Sequence, residues 1–144
     1  MGTGTRQVRL QDGTLATLHQ LAVPSLCVRY TARVTMAAAA TRSVSLIPAG
    51  LRVVAVTTEV LVGLGTTNGL TSVLIGDGTL TNRWGMQTTL TVGARTGQVD
   101  FGLQEWPTYV AATSVVLSAL GGTFDTTGEV EVTVWGFPLT HRGV

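Results

Sequence analysis

The side chains that could act as acids, bases or nucleophiles are few and far apart in this sequence. The imidazoles are His19 and His141, and the one thiol is Cys27. A nucleophilic site would need a histidine beside a serine or the thiol, oriented by a carboxylate, and no stretch groups such residues. The carboxylates are spread singly except Glu129 and Glu131, which we expect to share a solvated strand face rather than form a glycosidase pair. The sequence therefore predicts no catalytic residues and no enzyme activity.

A metal or cofactor site is not predicted either. One cysteine and two distant histidines cannot supply zinc ligands at chelating spacing. Gly76-Asp77-Gly78 has some likeness to the start of a calcium loop, but the acidic ladder and the closing glutamate are missing, so we interpret it as a tight turn. Cys27 lies in a strand-like run without a partner for an internal disulfide, and we expect a buried, inert thiol.

The tryptophans leave two interpretations open. Trp84, Trp106 and Trp135 could anchor the core or a subunit interface, which is the commoner role of such rings in a small β-domain. They could instead form a stacking platform for a glycan, because a flat ring buries a large area and keeps a polar edge. We favour the core or interface role, and we keep Trp84, Trp106 and the loop of residues 63–69 as candidate glycan contacts.

The composition is that of a β-sheet protein with little charge. Threonine occurs 25 times, valine 20 times and glycine 18 times among the 144 residues, and β-branched side chains pack well on a pleated sheet. Charged residues make up 12% of the chain, about half of the share in an average soluble domain. A surface so poor in charge is typical of a protein that buries part of it, so we expect contacts between subunits.

The charge and hydropathy patterns argue against two classes of partner. The nine arginines are scattered from Arg6 to Arg142 and the net charge is +1, whereas nucleic-acid-binding proteins concentrate basic residues on one surface. No apolar stretch approaches the roughly 18 residues of a membrane-spanning helix. Residues 1–6 lack the apolar core of a signal peptide. We therefore expect no nucleic acid and no membrane as partner, and no export by a signal peptide.

The first 26 residues differ from the rest, and we interpret them as an anchoring arm that precedes a folded domain of residues 27–144. Leucines at three-residue spacing before Pro24 could line one face of a short helix. A partly disordered tail or a first β-strand fits the same residues equally well. The candidate contact residues of the whole chain are Arg6, Arg9, Leu15, Leu18, Leu21, Trp84, Trp106 and Trp135.

Alternation of apolar and polar residues predicts β-strands in the rest of the chain. Residues 51–62 are nearly continuous Val, Leu, Ala and Thr, which predicts a central strand covered on both faces. Residues 87–104 lack a clear period and predict a long loop with one or two short edge strands. Three further strands are predicted at residues 28–36, 43–47 and 70–75. Another is predicted to begin within residues 82–86 and to carry Trp84. The last two are predicted at residues 109–120, with Val110 among the apolar residues, and from residue 129 onward. Short strands separated by glycine turns indicate an all-β fold, an antiparallel β-sandwich or jelly roll with an extended or short helical N-terminal arm.

The order of several short phrases resembles a known family. The phrases are Ile47-Pro48-Ala49 before Val53-Val54-Ala55-Val56-Thr57-Thr58, Ile75-Gly76-Asp77 before Arg83-Trp84-Gly85, and Val116-Leu117 followed by Gly121-Gly122, Phe124, Gly128 and Val130-Val132-Val134. Over residues 43–137 this order is similar to that of the β-sandwich or jelly-roll domain of small tailed-phage virion proteins, of the capsid decoration (cement) or head-fibre type.

The resemblance implies a structural protein of a bacteriophage virion. It implies a homotrimer that is made in the host cytoplasm, binds the major capsid protein on the outer capsid surface through its N-terminal segment, and stabilises the lattice. The alternative is a receptor- or glycan-binding knob of a fibre or tail, with a host-surface glycan as ligand. A head-tail structural subunit is a third interpretation.

Overall fold

The structure is a computed structural model that describes residues 7–9, 15–17, 27–96 and 107–139. The regular elements in these ranges are strands, and the pairings between them are antiparallel. The strands are β1 Gln7–Arg9, β2 Leu15–Thr17, β3 Val28–Thr35, β4 Thr41–Ile47, β5 Leu51–Val62, β6 Ser72–Gly76, β7 Met86–Gln87, β8 Arg95–Thr96, β9 Thr108–Tyr109, β10 Thr113–Leu120 and β11 Glu129–Pro138.

Strands β3 to β11 form two sheets with jelly-roll topology. The four-stranded sheet has the order β4-β10-β6-β7, and the five-stranded sheet has the order β3-β11-β5-β8, with β9 also paired to β5. Without β9, eight strands remain in the two sheets. If these eight are renumbered 1 to 8 along the chain, their order is 2-7-4-5 in the four-stranded sheet and 1-8-3-6 in the five-stranded sheet. This is the strand order of an eight-stranded jelly roll. The predicted all-β sandwich or jelly roll is confirmed.

The core lies between the two sheets and follows the predicted alternation. In β11, Val130, Val132 and Val134 are fully buried, while Glu131 and Trp135 lie on the outer face. Burying such a valine contributes about 2 kcal/mol relative to leaving it exposed. The largest fully buried side chains are Phe124, Ile47, Leu51, Ile75 and Leu117.

Strand β5 is central, as predicted, but it is not covered on both faces. Its pairing with β11 shifts register twice, which leaves Val54 and Leu61 as extra residues. Because each bulge changes the alternation by one position, the inward residues are Leu51 and Val53 at the start and Val56 further along. The opposite side of the strand faces outward, with side chains that are half-buried or exposed.

The predicted strand over residues 109–120 is two strands that belong to different sheets. Thr108–Tyr109 pairs with β5 in the five-stranded sheet, and Thr113–Leu120 pairs with β4 and β6 in the four-stranded sheet. The chain changes sheet between them, and Val110 is 91% exposed there. The prediction of one strand that includes Val110 is therefore wrong, because Val110 lies between the two strands.

The strand predicted to begin within residues 82–86 starts only at Met86. Residues 81–84 form a turn, closed by a hydrogen bond from the Gly85 N–H to the Asn82 carbonyl (3.0 Å). Gly85 has a φ of 103°, in the left-handed region that favours glycine. Trp84 therefore lies in a turn, and its backbone N–H donates a hydrogen bond to the Ile75 carbonyl (2.9 Å).

Strands β1 and β2 form a separate two-stranded sheet, in which Val8 lies opposite Ala16. Of the three interpretations of the first segment, the strand holds at Leu15–Thr17, so no helix begins at Leu15. Among the described residues, no helix is long and apolar enough to cross a membrane. The division of the chain into an arm and a domain stays a prediction.

Candidate interaction surfaces

The structure puts the predicted tryptophan contacts in different environments. Trp84 is 6% exposed and packs in the core, with its ring centroid 6.3 Å from that of Tyr109. It anchors the turn before β7 and offers no face to a glycan or a partner protein. Trp135 is half-buried on the outer face of the five-stranded sheet. Trp106 lies outside the described residues.

The predicted contacts of the arm fall partly within the described residues. Arg9 and Leu15 lie opposite each other in the β1–β2 pair. Arg6, Leu18 and Leu21 lie outside the described residues. The role of all five as contacts therefore stays a prediction.

The sequence predicted a buried thiol at Cys27 and no metal site. Cys27 is a free, exposed thiol, so the expectation of a buried thiol is wrong. It immediately precedes β3, before the alternation of that strand turns side chains toward the core. In the part of the chain that the structure describes, no three His, Cys, Asp or Glu side chains group together as metal ligands.

A buried ionic cluster around Asp77 ties the loop after β6 to β9. One carboxylate oxygen, Oδ2, accepts hydrogen bonds from the Tyr109 hydroxyl and from Arg83 Nε, both at 2.6 Å. The other oxygen, Oδ1, accepts from the backbone N–H groups of Thr79 (3.0 Å) and Leu80 (2.9 Å). The predicted tight turn at Asp77 is present, and its carboxylate joins the two sheets through Tyr109.

The pKa values in this cluster follow from burial and hydrogen bonding. Burial alone would raise the pKa of the Asp77 carboxyl, but hydrogen bonds from Tyr109, the two backbone N–H groups and Arg83 outweigh it, so the pKa lies below its ordinary value. Burial, followed by the hydrogen bond to the Asp77 carboxylate, raises the pKa of Tyr109. Both effects favour an ionised Asp77 and a neutral Tyr109, so the cluster acts as an internal anchor.

The outer face of the five-stranded sheet carries a row of paired charges. Glu131 lies opposite Arg33 on one side and Glu59 on the other, and Glu59 lies opposite Arg95. The Arg95 Nε to Glu59 Oε2 distance is 2.9 Å, and Arg33 lies 3.8 Å from Glu129 and 3.9 Å from Glu131. The two glutamates of β11 share one face, as predicted, and each lies near a guanidinium.

Next to this row, Trp135 borders a shallow groove on the same face. The Arg29 guanidinium lies 5.6 Å from the centre of the indole ring, and the indole Nε1–H donates to Thr57 Oγ1 (3.4 Å). The groove has a volume of about 390 Å³. Its lining consists of Arg29, Thr57, Thr58, Glu59, Arg95, Thr96, Glu131, Thr133 and Trp135.

The outer face of the four-stranded sheet is different, because none of the described charged side chains lies on it. Residues 27–96 and 107–139 contain eleven charged residues, and seven of them are on the outer face of the five-stranded sheet. The other four are Arg42, Asp77, Arg83 and Asp125. Arg42 lies opposite Leu117 on the inner side of the four-stranded sheet, and the other three residues are in loops.

We call this second surface the neutral face. By the pairing registers, its outward residues are Thr41, Ser43, Ser45, Ser72, Leu74, Gly76, Met86, Ser114, Val116, Ser118 and Leu120. Of these, Ser72 and Gly76 are buried, and the backbone of Leu80 and Thr81 lies over Gly76. The sequence contains a signal for it, since residues 41–45 alternate threonine or serine with other residues, and neither residues 41–47 nor residues 113–120 contain a carboxylate.

Neither a protein-family model nor a curated protein matches this chain. Solved structures that are similar in fold include two from bacteriophages. A chain of the acidic stable capsid structure of Helicobacter pylori bacteriophage KHP30 has a TM-score of 0.57 and 21% sequence identity, over 82% of this chain and 92% of that chain. A chain of the cyanophage Pam1 capsid asymmetric unit has a TM-score of 0.50 and 18% identity, over 78% and 84%. The resemblance to virion proteins is confirmed at the level of the fold.

Proposed function

We propose that this chain is a structural protein of a bacteriophage particle. The observation that carries the proposal is the jelly roll of β3 to β11, which two chains from phage capsid structures share over most of their length. Jelly rolls occur in viral capsids and also in lectins, so the surfaces of the domain must decide between these roles. The outer face of the four-stranded sheet, which is uncharged among the described residues, supports a protein that is held in place by other proteins.

Within the particle we assign the chain to the decoration or cement class. It binds the outer capsid surface as a homotrimer, contacts the major capsid protein, and acts by adhesion rather than by catalysis. Residues 1–26 serve as the attaching arm, and residues 27–144 as the domain. Burial of apolar surface contributes roughly 25 cal/mol per Å², and repetition over a lattice adds avidity without new contacts.

The experiment is a binding assay with capsids of the phage that encodes the chain, prepared without this protein. We expect the full-length chain to co-sediment with the capsids and to raise their melting temperature. The double variant Leu18→Asp with Leu21→Asp should lose binding, because the arm would carry new charge. The single variant Thr14→Asp is the control for added charge.

The two possible failures have different meanings. If the full-length chain does not bind capsids, the capsid role is wrong. If it binds and the leucine variant binds equally well, the capsid role stands and the arm is not the attachment. Circular dichroism of both variants must match that of the unchanged protein for either conclusion.

A second candidate function is glycan binding by a fibre or tail knob, and the groove beside Trp135 favours it. An aromatic ring with neighbouring hydroxyls, carboxylates and guanidinium groups offers stacking and hydrogen bonds to a sugar. The test is a glycan array with the full-length chain. Binding should be lost in Trp135→Ala and kept in Thr35→Ala, which changes the same face outside the groove. An array without any binding rejects this function.

A further inference from the structure

Strand β3 ends the five-stranded sheet, and its side away from β11 pairs with no strand of the described residues. We call this side the β3 edge. We propose that the β3 edge binds an extended, acidic segment of another protein as an added strand, a mode of recognition in which the peptide backbone continues the sheet. The proposal goes beyond the capsid role and does not depend on it.

The backbone of the β3 edge selects an extended chain. In an antiparallel pair, alternate residues direct both their N–H and C=O groups away from the neighbouring strand. Proteins commonly block such an edge with short strands, prolines or bulges. Strand β3 has eight residues, no proline and an unbroken register with β11, and five of its residues are exposed. The edge strand β4 has a bulge at Leu46, and β7 and β8 have two residues each.

Charge decides which extended chain fits. Arg29 and Arg33 lie on the outer face of β3, four positions apart, opposite Trp135 and Glu131 of β11. The side chain of Arg33 is 68% exposed, and its distances of 3.8 and 3.9 Å to the two glutamates of β11 leave it free to bind a further carboxylate. Opposite charges directly across two strands stabilise their pairing, and like charges destabilise it. A strand with carboxylates opposite the two arginines therefore fits the β3 edge.

The described sheet edges of a second copy do not supply such a strand. The strands at these edges are β1, β2, β3, β4, β7, β8 and β9, and together they contain five arginines and no carboxylate. Two β3 strands side by side would place four guanidinium groups on one face. Arg42 of β4 adds a buried Nε–H that lacks a hydrogen-bond partner among the described residues. We therefore assign the added strand to a different protein.

The inner side of the β3 edge has room for apolar side chains. Tyr30 points to the inner face, since it lies opposite the buried Val134, yet it is 37% exposed. A cavity of about 290 Å³ opens beside it, between β3 and the end of β4. Its lining consists of Tyr30, Ser45, Leu46, Ile47, Pro48 and Ala112. Because side chains of a strand alternate between its faces, the partner segment should alternate apolar residues with polar ones that include two carboxylates four positions apart.

The test is binding of a synthetic peptide by the full-length chain. In the nine-residue probe, valine or leucine alternates with threonine, and glutamates replace the threonines at the third and seventh positions. Fluorescence anisotropy of the labelled probe measures binding at protein concentrations up to about 1 mM, the weak end of the affinity scale. We expect saturable binding that weakens as salt rises, because the paired charges are exposed. Glutamine in place of both glutamates should weaken binding about fivefold.

A charge reversal on the protein locates the site. Arg33→Glu should weaken binding of the acidic probe at least about fivefold, since like charges then lie opposite each other. The matched control is Arg95→Glu, because Arg95 is 74% exposed, lies beside a glutamate and is on the same face at the opposite edge of the sheet. Arg33→Gln with Arg95→Gln keeps the test valid if a glutamate variant fails to fold.

Methylation of alternate backbone nitrogens in the probe tests strand addition itself. One set of N–H groups would face β3 and the other set would face solvent. We therefore expect binding to be lost in only one of the two methylated probes. Attachment by charge alone would leave both methylated probes bound.

Four results would overturn the proposal: no binding of the acidic probe, equal binding of the glutamine probe, equal binding by Arg33→Glu, or the same outcome for both methylated probes. Self-association of the chain that Arg33→Glu abolishes would also overturn it, because a second copy would then fill the β3 edge. Capsids play no part in the readout, so this result and the test of the capsid role are independent.

Discussion

At the scale of single residues, Asp77 connects its own loop to the other sheet. Its carboxylate accepts hydrogen bonds from its own loop, from Arg83 in the following turn, and from Tyr109 in the other sheet. The side chains of Asp77 and Arg83 are 3% and 22% exposed, so the ion pair is little screened by solvent. Hydrogen bonds to charged groups in such sites contribute about 1.5–3 kcal/mol each.

We expect Asp77→Asn to lower the free energy of unfolding by about 2 kcal/mol, because the amide loses the charge that Arg83 and the Tyr109 hydroxyl bind. Urea unfolding at pH 7 measures the loss. The control is Asp125→Asn, which removes an exposed carboxylate that caps Thr127 in a surface turn. Equal losses in the two variants would show that Asp77 has no special structural role.

The same cluster predicts how stability depends on pH. The pKa of Asp77 is lowered by folding, so its stabilising contribution is complete above its ordinary value of about 3.8 and is lost as the pH falls further. The pKa of Tyr109 is raised, so its contribution is complete below about pH 10 and is lost at higher pH.

The melting temperature measured from pH 2 to pH 11 tests both signs. We expect a plateau between about pH 5 and pH 9, with a decline on each side. Tyr109→Phe should make the alkaline decline shallower, and Asp77→Asn should do the same for the acid decline. Unchanged declines in both variants would contradict the assignment.

The residue scale also shows a limit of sequence interpretation. The turn at Asp77 could be predicted from its two glycine neighbours, but its partner Tyr109 lies 32 residues away and belongs to a different sheet. Val110 follows that tyrosine in a run of apolar residues and is nevertheless exposed. Both outcomes depend on where the chain changes sheet, and no local pattern encodes that position.

At the scale of elements, one buried polar pair joins the two sheets. Thr58 of β5 donates through Oγ1 to Gln87 Oε1 of β7 (2.9 Å), and the Gln87 amide donates to the Thr89 carbonyl (2.7 Å). Both side chains are 3% exposed. Strand β7 has only two residues, so this pair adds to the few contacts that hold it in place.

We expect Thr58→Val to lower the free energy of unfolding by about 1–2 kcal/mol, because the Gln87 oxygen stays buried without its donor. Adding Gln87→Leu should recover part of the loss, since neither member of the buried pair is then left unsatisfied, and the Thr89 carbonyl that loses its donor belongs to an exposed residue. Thr35→Val, an exposed threonine of β3, is the control and should have little effect. A double variant that is no more stable than Thr58→Val alone would contradict this reasoning.

Most of the long strands could be predicted with their bounds, whereas for the short ones only the presence of an edge strand within residues 87–104, where β8 lies, could be predicted. Strands β3, β4 and β11 follow from alternation and β5 from its apolar run. The bounds of β3, β4 and β5 and the start of β11 differ from the predictions by at most two residues. Strands β7, β8 and β9 have two residues each, too few for any period to appear. Their places are set by hydrogen bonds to β5 and β6.

At the scale of the whole molecule, the fold places most charges of residues 27–96 and 107–139 on the outer face of one sheet and none of them on the outer face of the other. Composition predicted a neutral surface engaged in contacts, but the side could not be predicted, because it follows from which strands pair in which sheet. The strand order also arises from long-range pairings, such as β3 with β11. The family resemblance in the sequence nevertheless predicted the class of fold that the capsid chains share.

The central claim, that the protein is a capsid decoration protein, is tested most directly by cryo-electron microscopy of particles of the phage that encodes the chain. We expect density for the jelly roll of residues 27–139 on the outer capsid surface, with density for the preceding arm continuing onto neighbouring capsid subunits. The same particles assembled without the chain should lack this density and melt at a lower temperature. Density confined to the tail or to the capsid interior, or particles that lack the protein altogether, would contradict the account.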